Sequence, residues 1–152
     1  MLKPENEIRS RDEIDAVIRV CQVCRVAFAD GNQPYLLPFS FGYDGEKIYL
    51  HTARDGRKID IIERNQRVGF EFEQGVELKR AKGPGCNWDF RYRCVIGQGR
   101  IRELISPQEK NRALGILVAQ YGGEVQQFPA HSVDATRVWA IEIEAISGKR
   151  SE

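Results

Sequence analysis

Apolar residues recur along this chain with two different periods, and the changes from one period to the other mark its elements. Ile14, Val17, Ile18 and Cys21 repeat at helical intervals behind Ser10-Arg11-Asp12-Glu13, a capping box, and predict a short amphipathic helix. Residues 24–29 predict a strand. Asp30-Gly31-Asn32-Gln33 then turns the chain into Pro34-Tyr35-Leu36-Leu37-Pro38-Phe39-Ser40-Phe41-Gly42-Tyr43. Two prolines in that extended run cannot donate to a ladder, so part of its backbone stays free to meet a ligand. Asp44-Gly45 signals a tight hairpin into a strand over residues 47–50. Ile59 and Ile62 carry a second helix, after which Val68, Phe70 and Phe72 alternate with polar or small residues as a half-buried strand.

Residues 77–85 are polar and rich in glycine and predict a loop or ragged hairpin. From Trp88 the chain turns β-rich again, and Gly97 and Gly99 mark a bulge or a close approach of backbone. Ser106-Pro107-Gln108-Glu109 is a second capping box with proline at the first helical position. The helix it opens shows an apolar face of Leu114, Leu117, Val118 and Tyr121 and ends at Gly122-Gly123. A polar connection follows, then a final strand in which Trp139, Ile141 and Ile143 alternate with Ala140, Glu142 and Glu144. Residues 147–152 read as a polar, frayed tail. Six strands broken by three short helices, without a βαβ rhythm, predict a mainly β fold: a largely antiparallel barrel or closed sheet. No repeat or linker divides residues 1–152, so the expectation is a single domain.

Composition narrows the function classes. The chain has 152 residues, enough for one ordinary core, and its 41% hydrophobic and 30% charged residues are those of a globular protein. Basic residues number 23 and acidic ones 22, a formal net charge of +1, so no global field recruits nucleic acid or an anionic membrane. The start Met-Leu-Lys-Pro-Glu-Asn lacks the apolar core of a signal peptide, and no apolar run approaches a bilayer span; the expectation is a cytoplasmic protein. Cys21-Gln22-Val23-Cys24 has the spacing of a metal knuckle. A zinc site would require a second close pair, whereas Cys86 and Cys94 stand apart with neither histidine near, so buried free thiols are the expectation.

The candidate chemistry lies in Ile48-Tyr49-Leu50-His51-Thr52-Ala53-Arg54-Asp55-Gly56-Arg57-Lys58, where a strand hands over to a helix start. Free backbone N–H groups at a helix N-terminus favour an anion, and Arg57 and Lys58 add two charges, so the stretch reads as a phosphate seat. A solvated turn with solubilising cations is the competing reading. His51 is the titratable side chain of the seat and the candidate proton donor, set against a histidine that merely packs. His131, between Pro129 and Ser132, is expected at the surface.

Pro38-Phe39-Ser40-Phe41, the stretch from Ile48 through Ala53, Gly56-Arg57-Lys58, Arg93-Cys94-Val95-Ile96-Gly97-Gln98-Gly99, Trp139 and Ser147-Gly148-Lys149 occur in an order that resembles the FMN-binding split-barrel superfamily. Within it they most resemble the pyridoxamine 5'-phosphate oxidase-like, nitroimidazole-resistance type. The resemblance implies a six-stranded antiparallel split β-barrel that binds FMN. It implies that Pro38, Phe39, Ser40 and Phe41 lie against the flavin ring through their backbone, that His51, Thr52 and Ala53 follow the ring and ribityl chain, and that Arg57 and Lys58 hold the phosphate. It also implies a homodimer in which Arg93, Cys94 and Val95, with Trp139 as a further candidate, reach the flavin from the second subunit. Cys94 departs from the pattern, which places a hydroxyl or amide residue there; a thiol donates hydrogen bonds weakly. The activity implied is an FMN-dependent oxidoreductase of a small organic molecule with NADH or NADPH as electron donor.

Two other classes stay open from the sequence. The same fold serves as a non-catalytic flavin or haem carrier or sensor, and a haem would need His51 or His131 as its axial imidazole. Lys79, Arg80, Lys82, Arg91 and Arg93 interleave with Trp88, Phe90 and Tyr92, a mix used by single-stranded nucleic-acid binders on small barrels. The near-neutral total charge counts against that reading.

Overall fold

The computed structural model describes residues 4–124 and 127–152; Met1, Leu2, Lys3 and two residues of the polar connection, 125 and 126, lie outside it. In chain order the elements are β1 (Glu7–Ile8), α1 (Arg11–Val20), β2 (Cys24–Asp30), β3 (Gln33–Phe39), β4 (Gly42–Tyr43), β5 (Lys47–Thr52), α2 (Arg57–Arg64), β6 (Arg67–Lys79), β7 (Asp89–Leu104), α3 (Pro107–Gln120), α4 (Ala130–Ala135) and β8 (Arg137–Ser151). Both capping boxes form. The Ser10 hydroxyl accepts the Glu13 N–H that opens α1, and the Ser106 hydroxyl accepts that of Glu109 at the start of α3.

The strands form one antiparallel sheet in the order β3-β2-β6-β7-β8-β5-β4, with β1 paired to the far part of β8. Its two edges, β3 and β4, are consecutive in the chain, with Ser40 and Phe41 alone between them. Three Cα steps reach about 11 Å at most, so the sheet has to curl until its edges nearly meet. No ladder joins β3 to β4 among the described residues, and the barrel stays split along that seam. Phe41, Phe72, Ile18, Ile48 and Ile141 fill its interior.

The sheet holds eight strands rather than the six expected. The run from Pro34 to Tyr43 divides at the seam crossing into β3 and β4, and Glu7–Ile8 adds a two-residue strand opposite Gly148 and Lys149. Pro34 and Pro38 sit on an edge strand that pairs with β2 alone, where a missing N–H costs no ladder bond on the open side. Part of the expected loop at 77–85 is strand. β6 and β7 continue past the barrel as a two-stranded ribbon to Lys79 and Asp89, after a register shift between Gln74 and Glu77.

The tail is not frayed. Residues 147–151 belong to β8, paired with β7 throughout and with β1 at Gly148 and Lys149, because the partner strands supply the bonds that the polar sequence could not advertise. The final strand does not alternate simply either. Val138, Trp139, Ala140 and Ile141 are all buried, since Trp139 and Ile141 face the barrel while Val138 and Ala140 lie in a second cluster with Tyr49, Leu104 and Ala113 of α3. A fourth helix, α4, occupies part of the polar connection and buries Val133. The close approach expected at Gly97 and Gly99 is present: a Cβ at Gly97 would lie 2.2 Å from the Phe70 ring, and one at Gly99 2.0 Å from the Glu142 carbonyl oxygen.

Candidate functional site

β5 and α2 meet at the split end of the barrel. β5 delivers His51 and Thr52, and the turn Ala53-Arg54-Asp55-Gly56 leads into α2. At the N-cap Gly56 has φ 130° and offers no side chain to the helix start. Ile59 and Asp60 donate back to the Gly56 carbonyl. Among the described residues, none of the N–H groups of Arg54, Asp55, Gly56, Arg57 and Lys58 has a backbone or side-chain acceptor. Five successive amides and two cations thus stand at one helix start, the arrangement that favours a phosphate.

The cations differ in how they are held. The Arg57 guanidinium lies over the Tyr35 ring at 4.7 Å and 3.8 Å from the Asp30 carboxylate, which also takes Arg64 at 2.7 Å. α2 is therefore tied across the seam to β2 and β3, and Arg57 is presented with part of its charge already answered. Lys58 is half-buried and has no ion pair among the described residues. On the other side of the turn, Arg137 at the start of β8 grips Glu103 of β7 through two bonds of 2.8 and 2.7 Å and donates to the Arg54 carbonyl at 3.3 Å. The bonds to Glu103 hold its guanidinium firmly protonated, above the ordinary arginine range.

The residues expected at the site fall into three groups. Pro38 and Ser40 are exposed on the open edge by the seam, with Phe39 half-buried between them; His51, Ala53 and Arg57 are exposed beside that seam and Lys58 is partly so. β4 begins with Gly42 opposite Tyr49, so His51 and Thr52 run on beyond it into the gap the seam leaves. The His51 backbone lies in the ladder opposite Val138, and its imidazole has no hydrogen-bond partner among the described residues. The side chains of Phe41 and Trp139 form a second group that belongs to the core. Phe41 packs against Phe72, and its N–H donates to the Tyr121 hydroxyl at 3.0 Å. The Trp139 indole N–H donates to the Thr52 hydroxyl at 2.9 Å, and that hydroxyl donates to the Ala53 carbonyl at 2.8 Å. Trp139 therefore supports the seat from below, and a ring contact by its side chain is closed off within the chain.

Arg93, Cys94 and Val95 form the third group, in mid-sheet on β7, with β6 and β2 between them and the edge strand β3. Val95 points into the core. Cys94 faces outward, its thiol donating to Glu71 at 3.7 Å; burial, then the Glu71 charge, pushes its pKa up to about 11. These three do not join the seat of their own chain. Cys21 and Cys24 are buried, as the sequence predicts, and His131 is exposed on α4. Sequence reasoning missed Tyr35, Tyr121 and Arg137. Each touches the site through a strand or helix remote in the chain, and no local spacing reports such a contact.

The outer sheet face carries a different signal. Leu36, Ile96, Val76 and Phe90 are about half-exposed or more, and Leu78 lies opposite Phe90 on the ribbon. Ala27 and Gly69 keep the surface between them flat, and a depression of about 330 Å³ opens there. Among the described residues no helix is long and apolar enough to cross a membrane.

Comparison with known proteins places this architecture. The crystal structure of a candidate 5-nitroimidazole antibiotic resistance protein from Bacteroides thetaiotaomicron superposes with a TM-score of 0.84 at 26% identity, over 96% of this chain and 90% of that one. An FAD and haem binding protein from Mycobacterium smegmatis has a TM-score of 0.85 at 20% identity, over 97% of this chain and 74% of that one, a likeness of fold. An uncharacterised protein of Rhizobium meliloti (strain 1021) is 25% identical over 101 residues; the match takes in 66% of this chain and spans 59% of that curated relative's length. A family profile for pyridoxamine 5'-phosphate oxidase covers residues 10–150, from the cap of α1 into the last residues of β8, and on that match the chain belongs to the pyridoxamine 5'-phosphate oxidase family.

Proposed function

We propose that this chain binds FMN and acts, as a homodimer, as a flavin-dependent oxidoreductase of a small organic substrate with a reduced nicotinamide nucleotide as electron donor. The observation that carries the reading is the run of five unanswered amides from Arg54 to Lys58 beside the Arg57 and Lys58 cations. Such a cradle fits a phosphate dianion, and the exposed edge strand at Pro38 and Ser40 offers unpaired backbone next to it for the polar rim of a flavin ring. A bound flavin supplies hydride and electron transfer; the chain holds and orients it. Thr52 fixes the Ala53 carbonyl, Arg57 and Lys58 neutralise the phosphate, and His51, exposed beside the seam, is the group assigned to proton delivery. Family membership supports the reading, as do structural neighbours described as FAD-binding.

The homodimer is supported by exposed apolar side chains on the outer sheet and ribbon, Leu36, Ile96, Val76, Leu78 and Phe90. In such a homodimer Arg93 and Cys94, which lie away from the seat of their own chain on β7, are assigned to the flavin of the other subunit. Nitroaromatic reduction is the first substrate class to try, given the name of the Bacteroides neighbour. Four free thiols suit a reducing compartment, which supports a cytoplasmic setting. The ribbon cations are partly answered within the chain, Arg91 by Glu77 and Arg93 by Glu152, which weakens the single-stranded nucleic-acid reading.

The test is optical. Purified protein mixed with excess FMN should keep a yellow chromophore through gel filtration and elute as a dimer. Arg57→Ala with Lys58→Ala should weaken FMN binding about 100-fold or more, two charge-assisted bonds being lost, and should change riboflavin binding little. A colourless wild type, or equal loss of FMN and riboflavin in the double variant, overturns the reading. A red-brown protein would direct attention to haem instead.

A further inference from the structure

We infer that Arg137 is a positioning residue for the cofactor phosphate: it anchors the turn before α2 so that the turn's amides face the ligand. The inference rests on the FMN reading and assigns a role to a residue no motif marks. Arg137 occupies the first position of β8, opposite Thr52 of β5, and its guanidinium closes the barrel end over the Trp139 ring at 4.8 Å. From there it makes the two short bonds to Glu103, weaker contacts of 3.5 Å to Glu63 of α2, and the bond to the Arg54 carbonyl. One side chain thereby joins β7, β8, α2 and the turn. Its fork geometry explains the residue type, because the bidentate hold on Glu103 leaves further N–H groups for the carbonyl and for Glu63.

The consequence follows from peptide planarity. In a trans peptide the carbonyl and the next N–H point in opposite directions. Thr52 holds the Ala53 carbonyl and Arg137 holds the Arg54 carbonyl, both towards the barrel end. The N–H groups of Arg54 and Asp55 are therefore turned the other way, towards the side on which the amides of Gly56, Arg57 and Lys58 lack acceptors. Holding these two carbonyls spares a free turn the ordering cost that it would meet on binding. The Trp139 to Thr52 to Ala53 relay is the first anchor, Arg137 the second, and the two share the Trp139 ring.

Arg137→Met removes the fork and keeps an aliphatic stem over Trp139. Arg137→Lys keeps the charge beside Glu103 but cannot hold that carboxylate and the Arg54 carbonyl together; it covers the case in which the methionine variant folds poorly. Arg102→Met serves as control, because Arg102 pairs with Glu142 and Glu109 on the exposed face and does not touch the turn. In the apo-protein, amide hydrogen exchange at Ile59 and Asp60, whose N–H groups close on the Gly56 carbonyl of the turn, should quicken about tenfold in both Arg137 variants and stay at the wild-type rate in the control. FMN affinity should fall about tenfold while riboflavin affinity changes less than about twofold, since the anchor acts on the phosphate alone. Unchanged exchange at Ile59 and Asp60, or an equal loss for FMN and riboflavin, overturns the inference. Failure of the wild type to take up FMN is a separate result: it overturns the flavin reading, and exchange in the apo-protein then decides by itself whether the anchor exists.

Discussion

Replacing Tyr121 by Phe removes one oxygen atom from the point where the chain crosses the seam. That hydroxyl accepts the Phe41 N–H at 3.0 Å and donates to the Gln22 carbonyl at 2.8 Å. The two bonds are unequal in consequence. Gln22 is exposed and its carbonyl re-pairs with water, so that loss is small. Phe41 is fully buried, and its N–H belongs to neither β3 nor β4, so removing the hydroxyl leaves a buried donor without a partner. An orphaned backbone donor costs about 1–3 kcal/mol, and about 2 kcal/mol is the expected loss here. For a domain of this size that corresponds to a fall in Tm of about 4–8 °C. Thermal melts followed by circular dichroism measure it, and urea titration with an unchanged slope confirms that stability rather than the unfolded state has altered. A Tm within about 1 °C of wild type would refute the reasoning, since it would mean that the crossing does not depend on this bond. Amide exchange at Phe41 gives the same answer residue by residue.

Three further outcomes follow from the same geometry. Gly97→Ala should destabilise by about 1–3 kcal/mol, because the new Cβ meets the Phe70 ring at 2.2 Å and the Ala145 carbonyl at 2.5 Å; a wild-type denaturation midpoint would contradict the packing described. Cys86 is exposed and should react first with iodoacetamide at pH 8, whereas Cys21 and Cys94 are pushed up to about 11, mainly by burial, and Cys24 higher still for the same reason. Rapid native labelling of Cys21 or Cys24, read by mass spectrometry, would show the α1–β2 junction to be open. Asp44 is the third case: burial raises its pKa, but the N–H groups of Lys47 and Glu46, the Tyr49 hydroxyl and the Arg112 charge together take it below the ordinary carboxylate value. Its stabilising contribution is then present above the unfolded pKa of about 4 and lost as pH falls through the lower folded value, so the stability gap between wild type and Asp44→Asn should close below about pH 4. A gap that persists at pH 2 would sink that assignment.

Much of the site was legible in the sequence because it is local. The hairpin at Asp44-Gly45, the strand ending at Thr52, the glycine and the two cations lie in one unbroken stretch, and the physics that makes a strand, a turn or a helix start acts over a few residues. The capping serines and the period of Ile14, Val17 and Ile18 are legible for the same reason. The sequence shows six of the eight strands: a two-residue strand such as Glu7–Ile8 has no period to read, and nothing in Phe39-Ser40-Phe41-Gly42 says that the chain leaves one sheet edge and joins the other.

What the tertiary structure alone decided is who stands next to whom across that distance. Val138 and Ala140 look like the solvent side of an alternating strand until α3 covers them, and Trp139 looks like a ring available to a ligand until its indole is found bonded to Thr52 inside the barrel. Arg137 is one of many arginines in the sequence and comes to hold the turn before α2 only through register, because β8 must lie between β5 and β7 before its first residue can reach Glu103, Glu63 and the Arg54 carbonyl at once. The residue types and their local order made the turn that offers the amides, and the closure of the sheet determined which way they face.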